Sequence, residues 1–310
     1  MKKTYVVGTR KSQLAMTQTK QTVTLLEEKF PDITFEIKGI VTKGDRLATV
    51  HLSKIGGKGV FMKQIEAAIV SGEIDFAVHS MKDVPSVLPE EVTIAAIPPR
   101  NSPWDVLVSK NGLENIEDLP KNSIIGTSSV RRGSQLLAWR PDLQLKNIRG
   151  NIDTRLKKLA EEDYDAIILA EAGLNRLGWN EKITGIRLSK ELCIPAVGQG
   201  ALGVECLKDR PDVLELLQAI DCPITRRCVE AERTFLSQMD GSCTFPIGGY
   251  SEILENKLTL TGFLSNADGS IILKEVLQDE NAEQLGTRTA ALFNEKGAKS
   301  LIKKYRDENA

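Results

Sequence analysis

Apolar and polar positions in this chain change period in blocks. Thr4-Tyr5-Val6-Val7 is a short β-rich run stopped by Gly8-Thr9. From Ser12 to Phe30 the pattern turns helical: Leu14, Val23, Leu25 and Leu26 are predicted to line a buried face, and Pro31 closes the segment. Thr34 to Val41 alternates like a strand. Lys43 to Arg46 and Ile55 to Gly59 read as loops. Apolar residues at 61, 62, 65, 68 and 69 follow a helical period, and Ile74 to Val78 is the next strand. Strands alternating with helices predict α/β units around a largely parallel sheet.

The plan has an internal echo. Val6-Val7-Gly8-Thr9 resembles Ile124-Ile125-Gly126-Thr127, a strand running into Gly-Thr and then into basic residues that open a helix. Helices leading into Asp75-Phe76-Ala77-Val78 and Asp165-Ala166-Ile167-Ile168 form a second pair. Two domains of one plan would produce this pattern, and so would the general likeness of βα units. Pro-rich Ile97 to Pro103 and glycine-rich Ile194 to Gly200 are candidate linkers. Beyond about residue 217 the texture changes. A helix is expected from Thr225 to Met239, then strands over 246–254, 257–264 and 271–277, and a last helix over 281–304. That describes a small α+β domain.

The 310 residues, at about 150 per domain, suggest two domains, or three if one is small. Hydrophobic residues at 41% and charged residues at 27% exclude a disordered, collagenous or disulfide-scaffold chain. Lys and Arg number 41 against 42 Asp and Glu, a net charge of -1, so no global field recruits nucleic acid and any polyanion must be held by local clusters. No apolar run reaches membrane-spanning length. Gly8, Arg10 and Lys11 interrupt the start before a signal-peptide core forms, so a cytoplasmic protein is expected. Five cysteines (193, 206, 222, 228, 243) make an odd count that suits a reducing compartment. The only histidines are His51 and His79, and no Cys-x-x-Cys pair exists, so no metal site is expected.

Gly198-x-Gly200-x-x-Gly203 matches a dinucleotide fingerprint, with Asp221 placed as a ribose-binding acid would be. Pro195 spoils the strand before it and Pro211 comes too soon for a crossover helix, so a glycine-rich hinge is the better reading. Gly56-Gly57-Lys58-Gly59 is not a phosphate-binding P-loop. It is either a surface loop or a lid bringing Lys54 and Lys58 to an anionic ligand. Cys243 lies between small residues and Pro246, as a packed loop thiol or as a presented sulfur. Basic residues recur where strands pass into helices: Thr9-Arg10-Lys11-Ser12, Thr127-Ser128-Ser129-Val130-Arg131-Arg132, and Arg149 through Asp153 to Arg155. A helix start offers unpaired N–H groups and the positive end of a dipole, and an arginine there opposes that dipole. Three such junctions point to a carboxylate or phosphate site. Asp83, in Val78-His79-Ser80-Met81-Lys82-Asp83-Val84-Pro85, is either a turn residue before proline or an acid–base or cation-stabilising carboxylate at a strand end.

Taken together these segments resemble the porphobilinogen deaminase (hydroxymethylbilane synthase) family. Seven ordered motifs carry the resemblance over nearly the whole chain: residues 8–12, 56–59, 78–85, 126–132, 147–155, Ala172 to Gly178 and Pro195 to Gly203. The resemblance implies two type II periplasmic-binding-protein-like α/β domains flanking a cleft, plus a small C-terminal α+β domain. Expected boundaries are 1–98 with 200–217, then 99–199, then 218–310. It implies that four porphobilinogen molecules are joined head to tail with loss of ammonia, and that water releases linear hydroxymethylbilane. A dipyrromethane cofactor, attached by a thioether to Cys243, primes the chain. Asp83 matches the family's catalytic carboxylate, which serves the cationic azafulvene left when ammonia departs. Arg10, Ser12, Lys54, Lys58, Lys82, Thr127, Ser128, Ser129, Arg131, Arg132, Arg149, Arg155 and Arg176 fall where cofactor and substrate carboxylates would be held. A monomer, with its product passed to a uroporphyrinogen-forming enzyme, is also implied. The chain departs from the family's pattern at Ser242, where a second glycine is usual, at Thr244-Phe245, and at Trp104, where a basic residue is usual. Two rival classes stay open on the residues alone: a non-catalytic binder of a small carboxylate, and a phosphate-handling transferase using the Lys54/Lys58 loop.

Overall fold

The computed structural model describes residues 2–42, 62–239 and 245–308. The chain begins with β1 (Thr4–Arg10), α1 (Gln13–Lys29), β2 (Thr34–Ile40), α2 (Lys63–Val70), β3 (Phe76–Ser80) and β4 (Val92–Ala96). It continues through β5 (Asp105–Ser109), β6 (Ile124–Gly126), α3 (Val130–Trp139), β7 (Gln144–Lys146), α4 (Ile152–Glu161), β8 (Ala166–Ala170), α5 (Glu171–Leu177) and β9 (Ile186–Arg187). Then come β10 (Leu202–Leu207), α6 (Pro211–Gln218), α7 (Pro223–Gln238), β11 (Ile247–Leu254), β12 (Lys257–Ser265), β13 (Ile272–Asp279), α8 (Ala282–Glu295) and α9 (Ala298–Glu308). Two compact units result: Met1–Asn101 with Gly200–Arg226, and Ser102–Gln199 with Arg227–Ala310.

The first unit holds a sheet of order β2-β1-β3-β10-β4, and the second a sheet of order β7-β6-β8-β5-β9. In each, the first three strands are parallel and the fourth is antiparallel. The plan is therefore duplicated, with β1 and β3 answering to β6 and β8, and it agrees with the type II periplasmic-binding-protein architecture. The antiparallel slot is filled in both sheets by the first strand after a linker, β5 in one and β10 in the other. Both faces of each sheet are covered, so β3 and β8 read as nearly continuous apolar runs.

Local signals account for the helices. Ser12 caps α1 by accepting from the Ala15 N–H at 3.3 Å, and Ser129 caps α3 by accepting from the Arg132 N–H at 3.4 Å. One expectation is corrected. Leu25 lies 37% exposed, and the buried stripe of α1 is Gln18, Thr19, Thr22, Val23 and Leu26. The polar members are tolerated because their donors are spent: Thr19 and Thr22 donate back to the carbonyls of Ala15 and Gln18, and the Gln18 amide reaches Ser80.

The third sheet is the antiparallel meander β11-β12-β13, packed on α8 around Phe235 and Phe293, whose rings meet edge to face at 5.1 Å. The expected single last helix is two helices. Gly297 breaks it in the left-handed region, at φ 93°. Contacts inside the second unit hold this meander. Buried Glu232 of α7 accepts from the Gly198 N–H at 2.7 Å and the Ser251 N–H at 2.8 Å. Trp104 packs on Tyr250 with ring centroids 4.9 Å apart, which gives its departure from the family's basic residue an apolar partner. The β12–β13 turn seats on α3, where Ser265 bonds Ser134 at 2.8 Å.

Gly269 in that turn has φ 74°, and an added Cβ would fall 2.0 Å from the Ser134 carbonyl oxygen. Gly269→Ala should therefore lower stability by about 2 kcal/mol or more, whereas Gly112→Ala, left-handed but with open space around it, should cost only about 1 kcal/mol. Urea unfolding of the two variants checks the difference.

Candidate active site

Parallel strands deliver their C-terminal ends to one edge of a sheet, where open α/β folds bind ligands. In the second unit that edge collects three junctions: 127–129 after β6, 147–151 after β7, and α5 directly after β8. Side chains tie them together. The Ser128 hydroxyl donates to the Ile148 carbonyl at 2.8 Å, Thr127 Oγ1 accepts from the Ser129 N–H at 3.2 Å, and Arg155 Nε donates to the Gly150 carbonyl at 2.8 Å. Gly150 sits at φ 119°, and a Cβ there would meet Thr154 at 2.6 Å, so the loop needs glycine.

Beneath this edge lies a residue that the sequence reading missed. Asp105, fully buried at the start of β5, accepts from Arg131 Nη2 at 2.8 Å, from Arg132 Nη2 and Nε at 2.7 and 3.0 Å, and from the Gln199 amide at 2.9 Å. Arg131 also donates to the Ile194 carbonyl at 2.6 Å, and Arg132 to that of Ile168 at 3.1 Å. Burial alone would push the Asp105 carboxyl up, but the Arg131 and Arg132 guanidiniums outweigh it and hold it well below the usual carboxylate range. Arg131 and Arg132, expected to grip ligand carboxylates, are thus 5% and 7% exposed and committed to a core carboxylate. Two guanidiniums share one carboxylate, so one positive charge is left over.

That excess charge is felt next door. Arg155 is pushed down to about 10, first by burial and then by repulsion from Arg132 and Arg149. Burial pushes Arg176, on α5, down to about 10 as well. Arg155 is thus crowded by charges of its own sign, whereas Arg176 is shifted by burial alone. The structure brings together Thr127, Ser128, Ser129, Arg132, Arg149 and Arg155.

In the first unit, β1 ends at Arg10, and Ser12 opens α1. The neighbouring strand β3 runs into a single 3-10 turn, Met81–Asp83, closed by the Val84 N–H on the Met81 carbonyl at 3.1 Å. Met81 is the buried anchor, at 1% exposure. Lys82 is half-buried and Asp83 exposed. The Gln18 amide, 2.9 Å from Ser80 Oγ, ties α1 to the end of β3. Arg10, Ser12, Lys82 and Asp83 therefore stand on adjacent strand ends. Lys54, Lys58 and Cys243 lie outside the described residues. Of the other cysteines, burial pushes Cys193 and Cys206 up to about 12, which makes them inert thiols. Among the described residues no group of three or more His, Cys, Asp or Glu could hold a metal ion, and no helix is long and apolar enough to cross a membrane.

A family model described as "Porphobilinogen deaminase, dipyromethane cofactor binding domain" matches residues 5–215, and the porphobilinogen deaminase C-terminal domain matches residues 226–295. The chain belongs to the porphobilinogen deaminase family. It is similar to the porphobilinogen deaminase of Bacillus subtilis, 52% identical over 309 residues covering 99% of this chain and 98% of that one. It is also similar to the porphobilinogen deaminase of Geobacillus kaustophilus, at 51% over 303 residues and 98% of each chain. Among solved structures, a probable amino-acid ABC transporter extracellular-binding protein from Bacillus subtilis aligns at TM-score 0.39 and 13% identity, covering 70% of this chain and 89% of that one. The crowded cations around Arg155 fit the polyanionic cofactor for which the family's first domain is described.

Two outcomes are expected of this porphobilinogen deaminase family member. Asp105→Asn leaves two buried guanidiniums without an anion and should cost about 3–5 kcal/mol in urea unfolding. Because the folded Asp105 is depressed, its contribution is full above the unfolded value of about 3.9 and is lost as pH falls through the folded one. The gap between wild type and variant should therefore narrow only in strong acid. Arg155→Leu removes a repelled cation and should leave the melting temperature nearly unchanged, while binding of the carboxylate-bearing substrate weakens about tenfold or more by calorimetry.

Proposed function

We propose that this chain joins four porphobilinogen molecules head to tail and releases linear hydroxymethylbilane, primed by a dipyrromethane group held as a thioether on Cys243. The observation that carries the reading is the match of both family domains, over residues 5–215 and 226–295, to a chain whose cations crowd one strand edge although its net charge is only -1. Each pyrrole unit bears an acetate and a propionate, so a lengthening chain is a polyanion, and only such a local cluster can hold it. When bound, the dipyrromethane supplies a free pyrrole α-carbon as the nucleophile that starts the chain.

The protein's own groups do the rest. Arg149, Arg155 and Arg176, with the Thr127, Ser128 and Ser129 hydroxyls, bind carboxylates. Arg131 and Arg132 contribute field more than direct grip, since their N–H groups are spent on Asp105 and backbone carbonyls. On the other unit, Arg10 and Ser12 stand at the end of the strand beside β3, and Lys82 shares the turn with Asp83, with Lys54 and Lys58 assigned to the same role. The exposed Asp83 carboxylate meets the substrate's aminomethyl end. There it stabilises the cation that develops as ammonia leaves, and it assists loss of the ring proton after carbon–carbon bond formation. The three-domain division at 1–98 with 200–217, 99–199 and 218–310 is part of this reading. So are a monomeric state, a cytoplasmic location and delivery of the product to a uroporphyrinogen-forming enzyme.

The intact mass of active protein should exceed that of the polypeptide by two linked pyrrole units, located on the Cys243 peptide. A free thiol there in active enzyme would reject the attachment. Asp83→Asn should still bind porphobilinogen but release almost no ammonia, and near-normal release would remove Asp83 from the chemistry.

A further inference from the structure

A buried histidine–glutamate pair stands behind the turn that carries Asp83. His79 Nε2 lies 3.0 Å from Glu205 Oε2, with the side chains 6% and 0% exposed. The second oxygen, Glu205 Oε1, is buried and makes no hydrogen bond. Half-buried Glu66 of α2 faces the pair. Its carboxyl is pushed up by burial and then by the Glu205 charge, with His79 opposing. Such an arrangement is a poor way to gain stability. A buried carboxylate with an orphan oxygen is costly, and apolar residues of similar volume serve a core as well or better.

The location explains what stability does not. β10 pairs antiparallel to β3, with Leu202 opposite Ser80 and Gly203 opposite His79. The Met81 N–H donates to the Ala201 carbonyl at 3.0 Å. Gly203 leaves room for the Met81 side chain, since a Cβ there would sit 2.7 Å from Met81 Cε. Three successive holds therefore run from the start of β10 to the residues just before Asp83: Glu205 on His79, Gly203 under Met81, and Ala201 on the Met81 N–H. The His79–Glu205 contact is the one side-chain-to-side-chain polar link among them.

We propose that His79 and Glu205 are a positioning pair for Asp83, with β10 as the strand that sets where the Asp83 carboxylate points. This rests on Asp83 being the reacting carboxylate. Misplacing a reacting group by about 1 Å can cost about 10²-fold in rate without weakening substrate binding.

The test compares Glu205→Gln with Glu205→Leu in the full chain, following ammonia release from porphobilinogen. Gln keeps an oxygen that can accept from His79, so its kcat should stay within about threefold of wild type. Leu removes the hold, and its kcat should fall about 10²-fold with KM almost unchanged. Equal kcat for Gln and Leu, or a loss confined to KM, would overturn the pair. Should the Leu variant not fold, Gly203→Ala pushes on Met81 from the same strand. A drop in kcat alone is then expected, and wild-type kcat overturns the proposal. Wild-type protein that releases no ammonia would instead bring down the reading of Asp83 itself.

Discussion

The second unit is organised around one carboxylate. Asp105 is the first residue of β5, and four side chains converge on it: Arg131 and Arg132 from the first turn of α3, the Cys193 thiol, and Gln199 from the segment that precedes β10. Gln199 also donates to the Pro103 carbonyl at 2.7 Å, so the two linker segments are bonded to each other where they enter and leave this unit. A fully buried acid is tolerable only with such a set of partners. Removing Asp105 would leave two guanidiniums stranded in a dry interior, and α3, β5, Pro103 and Gln199 are held together around it.

The same carboxylate decides the electrostatics of the strand edge above it. It balances one of its two guanidiniums, and the remainder adds to Arg149, Arg155 and Arg176. A chain with equal numbers of acids and bases, to within one, thereby concentrates positive charge at one strand edge. The cost shows in Arg155, pushed down to about 10 by burial and then by the Arg132 and Arg149 charges.

Several features could be read directly from residues. A helix from Ser12 and a strand passing into a helix over 127–132 were legible, and of the two readings of the Val-Val-Gly-Thr and Ile-Ile-Gly-Thr echo the sheets realise the repeated plan. Other features misled. Leu25 looked like core, yet the α1 stripe runs through Thr19 and Thr22, because a threonine that bonds its own helix carbonyl can be buried while a leucine off the stripe cannot turn inward. Sequence shows the charge of Arg131 and Arg132 but not the acid 26 residues before Arg131 that pairs with it. Asp105, Glu205 and Glu232 carried no local mark. A buried acid and an exposed one look the same in a sequence, and each of these finds its partners across 19 to 126 residues of chain.

What the chain determined unaided was local or additive: the periodicities, the caps, the breaks at proline and glycine, the near-zero charge, and the motifs that carry the family resemblance. Each depends on residues within a turn or two, or on simple sums. Tertiary structure alone decided which arginines are consumed in the core and which crowd the strand edge, which strand completes each sheet, and how the turn bearing Asp83 is anchored. Those outcomes turn on burial and on charge pairing between distant segments. Desolvation sets their energies, and a side chain acquires it only when the rest of the fold closes around it.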